Sequence, residues 1–284
     1  MTLPCHLVTE SWQTLEDPVT YGLFPNLLAQ PSYRCYTMAM ESTREIRENA
    51  LEIKFEVDVD TAEKIRTRAR ALFEADPFAS GPHADEYLSS TLYFDTADYK
   101  VYRRKASYRR AKHRVRRYGT ADLVFLERKL RTPDLVSKRR TTVRCNDLPL
   151  LSAATLDPSW EGRWFHERLI LRQLRVVSQV SYRRTARIGM SDYGPFRLTV
   201  DEDLRGVAVD GAEFHPAGGV LLTERAIVEM KFRAAMPAVL KQIVEEFALH
   251  PSRVSKYRLG IEGVRPDVIA GIAARKAARK LPHA

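Results

Sequence analysis

Cysteine is scarce in this chain: Cys5, Cys35 and Cys145 are odd in number, widely scattered, and match neither a CxxC pair nor a Cys/His zinc spacing. That excludes a disulfide framework and points to a reducing, cytosolic compartment. No run of about 18 apolar residues occurs, and no basic segment followed by an apolar run opens the sequence, so neither a membrane-spanning helix nor a secretory signal is expected. GxxxxGK[ST], GxGxxG and GxSxG are all missing, which removes the local signatures of a P-loop, a dinucleotide fold and a hydrolase elbow. The seven histidines are dispersed, with His113 alone beside a basic stretch, so nucleophile sets of the Ser/His/Asp or Cys/His kind have no support.

Acidic residues are also in deficit. The net charge is +10, yet residues 1 to 50 hold three Lys/Arg against six Asp/Glu, so the rest of the chain carries 43 against 30. Nine of the sixteen residues from Tyr102 to Arg117 are Lys or Arg. A polyanion is the natural partner of such a surface, although net charge alone does not choose among nucleic acid, membrane and polyphosphate. At 284 residues and 44% hydrophobic, the chain can bury a substantial core as one large domain with extensions.

What is present is alternation. Glu52-Ile53-Lys54-Phe55-Glu56-Val57, Phe125-Leu126-Glu127-Arg128-Lys129, Phe196-Arg197-Leu198-Thr199-Val200-Asp201 and Val228-Glu229-Met230-Lys231-Phe232-Arg233 each place charged and apolar residues in turn. Successive strand side chains point to opposite faces, so each segment has one charged and one apolar face. One such strand fits a sheet with a wet side. Several together predict an α+β fold in which a closed antiparallel β-barrel has a polar lumen and an outer surface packed under flanking helices.

The punctuation predicts three regions. Residues 1–43, with Pro4, Pro18, Pro25 and Pro31, read as a poorly ordered extension. Residues 44–266 read as the working domain, with a helix capped by Asp60 with Glu63 three residues on, strands near 89–95, 113–118, 123–130, 138–144, 175–188, 196–203 and 226–233, and helices within 160–173 and after Pro237. Residues 267–284 read as a basic tail whose Ala-rich stretch, Val268 to Lys280, predicts a surface helix.

Holding a run of phosphates takes bidentate arginines and point-charge lysines converging from separate strands. The candidates are Lys54, Arg114, Arg116, Lys129, Lys138, Arg184, Arg197, Lys231 and Lys256. Phosphoryl transfer also needs a hard divalent cation on oxygen ligands. Glu229, between apolar Val228 and Met230, is the first metal-ligand candidate, with Glu127 and Asp201 behind it; the competing reading of Glu229 is an ion pair with a neighbouring lysine.

These segments, with Thr91-Leu92-Tyr93-Phe94-Asp95-Thr96, Arg114-Val115-Arg116-Arg117-Tyr118-Gly119, Tyr182-Arg183-Arg184-Thr185-Ala186 and Ser255-Lys256-Tyr257, occur in the order found in the VTC domain. The chain thus resembles the polyphosphate polymerase domain of the vacuolar transporter chaperone complex and its free-standing bacterial relatives, over roughly residues 50 to 262. The resemblance implies a triphosphate-tunnel fold of the CYTH-like kind, open at both ends, with ATP and polyphosphate as partners and manganese or magnesium as cofactor. It implies transfer of the ATP γ-phosphate to a growing polymer, phosphate ligation by Lys54, Arg114, Arg116, Lys129, Lys138, Arg184, Arg197 and Lys256, and a metal on Glu229. Hydrolytic CYTH relatives carry Glu-x-Glu-x-Lys, whereas Ala50-Leu51-Glu52-Ile53-Lys54 lacks the first carboxylate, which tilts the reading to polymerase. Nothing in residues 1–43 resembles an SPX sensor, so regulation by one in cis is not expected; no membrane segment is seen after the matching region, so export of product is expected to need a separate membrane protein, with the chain cytoplasmic or held at a membrane through that partner. The rivals are a triphosphatase of the same fold and a nucleic-acid-binding module built on the basic run, for which no specific motif is present.

Overall fold

The computed structural model describes residues 42–47, 50–77, 79, 81–131 and 136–278. The expected disordered extension falls almost wholly outside them, as do Cys5 and Cys35; Cys145 is a free, half-buried thiol.

In chain order come β1 (Ser42–Arg47), β2 (Ala50–Asp58), α1 (Val59–Leu72), β3 (Glu74–Ala75), β4 (Glu86–Asp95), β5 (Ala111–Tyr118), β6 (Leu123–Arg131) and β7 (Val136–Arg144). A 3-10 turn (Cys145–Ser152) leads to α2 (Arg163–Arg172), β8 (Arg175–Ser191), β9 (Gly194–Val207), β10 (Gly219–Val220), β11 (Arg225–Arg233), α3 (Ala238–Glu246), α4 (Lys256–Val264) and α5 (Pro266–Ala278). Every ladder is antiparallel. The strands follow the order β1-β7-β6-β5-β4-β8-β9-β11-β2, with β10 added to β9 and β3 to β8.

The apolar faces explain where the helices sit. Phe55 of β2, Leu198 and Val200 of β9, and Val228 and Met230 of β11 bury against Ile65 of α1 and Leu240 and Ile243 of α3. Leu92 of β4, Val115 of β5 and Leu126 of β6 belong to a second core with Phe165 and Leu169 of α2. Each such side chain contributes about 1.5 to 3 kcal/mol of burial. Gly260 of α4 comes so close to β8 that a Cβ there would meet Val180 Cγ2 at 2.6 Å. Only glycine permits this approach, which seats the helix on the sheet and sets the position of its first residue, Lys256.

Several expectations are corrected. The sheet is not a closed barrel: β1 and β2, at the ends of the path, share no ladder among the described residues. Among the described residues an ion pair and not a ladder joins β6 to β2, Lys129 Nζ lying 3.4 Å from Glu52 Oε2. A ladder would require the backbones to approach to about 4.8 Å. The cap of α1 is Asp58, whose carboxylate accepts from Thr61 N at 2.7 Å and Thr61 Oγ1 at 2.9 Å; Asp60 falls inside the first turn. Lys256 opens a helix and does not lie on a strand. The helix of the tail is not fully solvated, since Val268, Ile269 and Ile272 pack against the second core.

Candidate functional site

Register and alternation put one set of polar side chains on the concave side of the sheet. β5 contributes Lys112, Arg114, Arg116 and Tyr118, opposite Glu127 and Lys129 of β6 and, one strand further, Lys138 and Arg140 of β7. β2 and β11 bring Glu52, Lys54, Glu229 and Lys231, and β8 and β9 bring Tyr182, Arg184, Arg197 and Asp201. Lys256 enters from α4. The nine cations expected from sequence therefore converge on one lumen.

Three carboxylates organise it. Glu127, 2% exposed, takes Arg114 Nε at 2.6 Å, Arg140 Nη2 at 2.5 Å and Lys138 Nζ at 3.1 Å. Asp201 receives both Nε (2.5 Å) and Nη2 (2.8 Å) of Arg184 and pairs with the Lys256 ammonium. Glu229 lies 2.6 Å from Lys231 Nζ and 3.4 Å from Lys54 Nζ. The ion-pair reading of Glu229 is thus what the structure contains. Arg197 is held by Asp76 at 2.5 Å and by the Tyr87 hydroxyl at 2.6 Å.

Arg116 differs from all of these. Its residue is 7% exposed, its nearest polar partner is the Tyr118 hydroxyl at 3.5 Å, and its Nε has no hydrogen-bond acceptor. Among the described residues no carboxylate pairs with it. Burial opposes its charged form, which is favoured by the Tyr182 and Tyr118 hydroxyls and by Glu127 beyond ion-pair distance, so the guanidinium is held without a paired carboxylate and its donors stay open to an anionic ligand.

The crowding of cations shifts the protonation of the groups around it. Lys112 is exposed as a residue, but partial desolvation of its ammonium beside the lumen wall, with Lys54 and Arg114 adding, brings it down to about 8. Lys138 also falls to about 8, through burial first, with Arg140 adding and Glu127 opposing. For Tyr118 burial alone would raise the hydroxyl, but Arg116 and Arg140 outweigh it and lower it to about 7. Glu52 behaves in the same way: burial and Glu229 push its carboxyl up, and Lys54, Lys231 and Lys129 bring it down to about 2. The lumen is a strongly positive field in which even phenols lean toward the anion.

Sequence reasoning missed Lys112, Arg140, Tyr118 and Tyr182. The first two continue the alternation of Arg114 and of Lys138, a signal that was present but was hidden in longer basic runs. Tyr182, fully buried with an unpartnered hydroxyl, sits with Lys256 Nζ 4.7 Å and the Arg184 guanidinium 5.3 Å from its ring centre. His113, the suggestive histidine, instead packs its ring 5.7 Å from Phe165 on the opposite face, where burial depresses it to about 3.

For a metal, the donors are Glu229 and Glu52, bridged by Lys54 (2.7 Å from Glu52 Oε1). No group of three His, Cys, Asp or Glu that could hold an ion occurs among the described residues. Two hard carboxylates still fit a magnesium-like ion, which commonly takes one or two of them and completes its shell with phosphate oxygens and water. No helix among the described residues is long and apolar enough to cross a membrane.

Comparison with known proteins bears on this geometry. No curated protein matches the chain. Among solved structures, a candidate adenylate cyclase of Bacillus halodurans is 18% identical, covering 75% of this chain and 95% of that one at a TM-score of 0.47. A protein of Pyrococcus horikoshii is 15% identical (75% and 99%, TM-score 0.42). A candidate adenylyl cyclase of Hippeastrum, described as having a dominant triphosphatase activity, is 14% identical (75% and 95%, TM-score 0.41). The VTC domain model matches residues 49–265, the whole stretch that builds the lumen, and the chain belongs to the VTC domain family.

Proposed function

We propose that the chain is a polyphosphate polymerase that binds ATP and an inorganic polyphosphate in the cationic lumen. The bond between the β- and γ-phosphates of ATP breaks, a new P–O bond forms between the γ-phosphorus and the terminal oxygen of the polymer, and ADP leaves. The observation that carries this reading is Arg116, a buried guanidinium on the positively charged lumen wall with no carboxylate within ion-pair distance among the described residues.

Phosphoryl transfer asks a protein for positioning and charge stabilisation more than for covalent chemistry. Arg114, Arg116, Arg184 and Arg197 suit bidentate contacts, and Lys54, Lys129, Lys138, Lys231 and Lys256 suit point contacts to phosphate oxygens. The carboxylates Glu127 and Asp201 hold these cations in place until phosphates take over part of their charge. Glu229, with Glu52, is the proposed holder of manganese or magnesium, and the chemistry a bound ion supplies is neutralisation of charge on the phosphate oxygens. A separate membrane protein that accepts the product, and the lack of a specific nucleic-acid partner, belong to the same reading and rest on the family resemblance.

The test is incubation with ATP and manganese, with products resolved by length on a gel. Polymer is the expected product. Orthophosphate alone would assign the chain to the hydrolytic rival, for which the alanine at position 50 leaves one carboxylate fewer. No ATP consumption would overturn both.

A further inference from the structure

We infer that the loop from Asp98 to Arg110 is a binding track outside the lumen for the part of a polyphosphate that the lumen does not hold. The inference rests on the polymerase reading and deepens it.

Residues 99 to 112 contain no Asp or Glu. Lys100 and Arg103 each lie 3.7 Å from Asp98. Arg104, Lys105, Arg109 and Arg110 are exposed, and among the described residues no carboxylate pairs with them. Such crowding of like charge opposes folding and is relieved by a polyanion.

The loop is built, which a run needing only solvation does not require. Buried Asp95 accepts Val101 N at 2.8 Å and Tyr102 N at 2.9 Å. Arg103 N donates to Tyr99 O and Arg109 N to Lys105 O, both at 2.9 Å. Arg258 of α4 donates to Tyr102 O at 2.9 Å and stacks 4.1 Å from the Tyr102 ring centre. The exposed cations are therefore displayed from a fixed backbone.

The display runs into the lumen. Arg131 N donates to Arg110 O at 2.8 Å, Ala111 pairs with Leu130, and the next pair in the ladder is Lys112 with Lys129. A polymer leaving the lumen past Lys112 and Lys129 meets Arg110 and Arg109 next.

The aromatic residues decide which polyanion fits. A single-stranded nucleic acid needs open ring faces on which to stack its bases. Tyr99 and Tyr102 are buried, and Tyr108 already has Lys100 at 5.4 Å and Arg172 at 4.5 Å from its ring centre. The loop offers point charges without stacking platforms, which suits a polymer made of phosphates alone.

The test is a full-length variant combining Arg104→Gln, Lys105→Gln, Arg109→Gln and Arg110→Gln, all at exposed positions. Binding of polyphosphate of about one hundred phosphates and of tripolyphosphate is measured over a salt series, beside ADP release from ATP. Long-polymer affinity should fall about 10-fold or more, and its log–log salt slope should flatten by about 3, at about 0.7 to 0.9 for each of the four lost contacts. Tripolyphosphate binding and ADP release should stay at wild-type values. Unchanged long-polymer affinity overturns the inference, as does an equal loss for tripolyphosphate, or a loss seen with single-stranded DNA but not with polyphosphate. Absence of polymer synthesis by the wild-type chain would sink the polymerase reading, while the binding arms would still decide the track.

Discussion

Lys54 Nζ lies 3.4 Å from Glu229 Oε2 on the neighbouring strand, so the carboxylate proposed to hold a metal is neutralised by a lysine when no ion is present. Glu229→Gln keeps the shape and removes the charge. ATP-dependent synthesis should fall by about 100-fold or more, the scale of several kcal/mol of lost charge stabilisation. Binding of tripolyphosphate without added metal should be retained or tighter, because Lys54 and Lys231 lose a competing anion. Wild-type turnover in this variant removes Glu229 from the site, and weaker metal-free binding means that it serves the fold.

The contrast between Arg116 and Arg114 gives a second prediction. Arg116→Lys should lower activity by about 10-fold, the loss of one charge-assisted contact of about 1.5 kcal/mol. Arg114→Lys should cost less, since Lys138 and Arg140 still hold Glu127. Arg116→Met should abolish synthesis yet change the stability of the fold by no more than about 1 kcal/mol, because the charge it removes makes no ion pair and is balanced only by Tyr182, Tyr118 and the more distant Glu127. A much lower melting temperature for Arg116→Met would show that Arg116 has a structural anion partner already.

These contrasts mark where the sequence was legible. Strand alternation exposes Arg114 and Arg116 because both faces of β5 have a distinct chemistry, and the same rule reaches Lys54, Lys129, Arg184, Arg197 and Lys231. Lys256 was found through its motif, but its helix was not, because Ser255 caps α4 without a side-chain hydrogen bond and so leaves no capping signature. The open sheet was out of reach, since whether β2 pairs with β1 depends on strand tilt and on side chains across the gap. The contact between Asp95 and Tyr257 joins residues 162 apart, which no local pattern reports.

That contact supports a third prediction. Asp95, fully buried, accepts from Thr96 N (2.7 Å), Val101 N, Tyr102 N and the Tyr257 hydroxyl, and Tyr257 adjoins Lys256, whose ammonium pairs with Asp201 in the lumen. Asp95→Asn should destabilise by about 3 kcal/mol, since an amide cannot satisfy all these donors. Tyr257→Phe should cost about 1 kcal/mol and weaken tripolyphosphate binding. Combined with Lys256→Ala, that binding loss should be far from additive, as expected for residues acting through one contact. Simple additivity would detach Tyr257 from the placement of Lys256.

The depressed groups in the lumen fix the sign of the pH dependence. Lys112 and Lys138 lose their protons near pH 8 and Tyr118 near pH 7 in the free protein. A bound polyanion favours the protonated form of all three, so binding should take up protons above pH 7 and affinity should fall as pH rises from 7 to 9. Phosphate itself, with a second pKa of about 6, is already ionised across this window. Calorimetry in buffers of different ionisation enthalpy reads the proton count directly. Net release, or an affinity that does not change with pH, would contradict the crowded-cation account.

The last prediction concerns the chain ended at Asp267. The composition of the tail suggests that nothing is lost, yet Val268, Ile269 and Ile272 of α5 pack against the core that also holds Tyr257 and Ile261 of α4. Three half-buried aliphatic side chains contribute about 1 kcal/mol each at most, so the trimmed chain should fold with a melting temperature several degrees lower. The lumen cations end at Lys256, and α4 keeps its own contacts to Asp95, Tyr102 and Val180. Polymer synthesis at 25 °C should therefore persist. The two measurements separate the roles: an unchanged melt would mean that α5 packs too weakly to matter. Loss of turnover with a cooperative melt would mean that α5 keeps α4, and with it Lys256, at its place in the lumen.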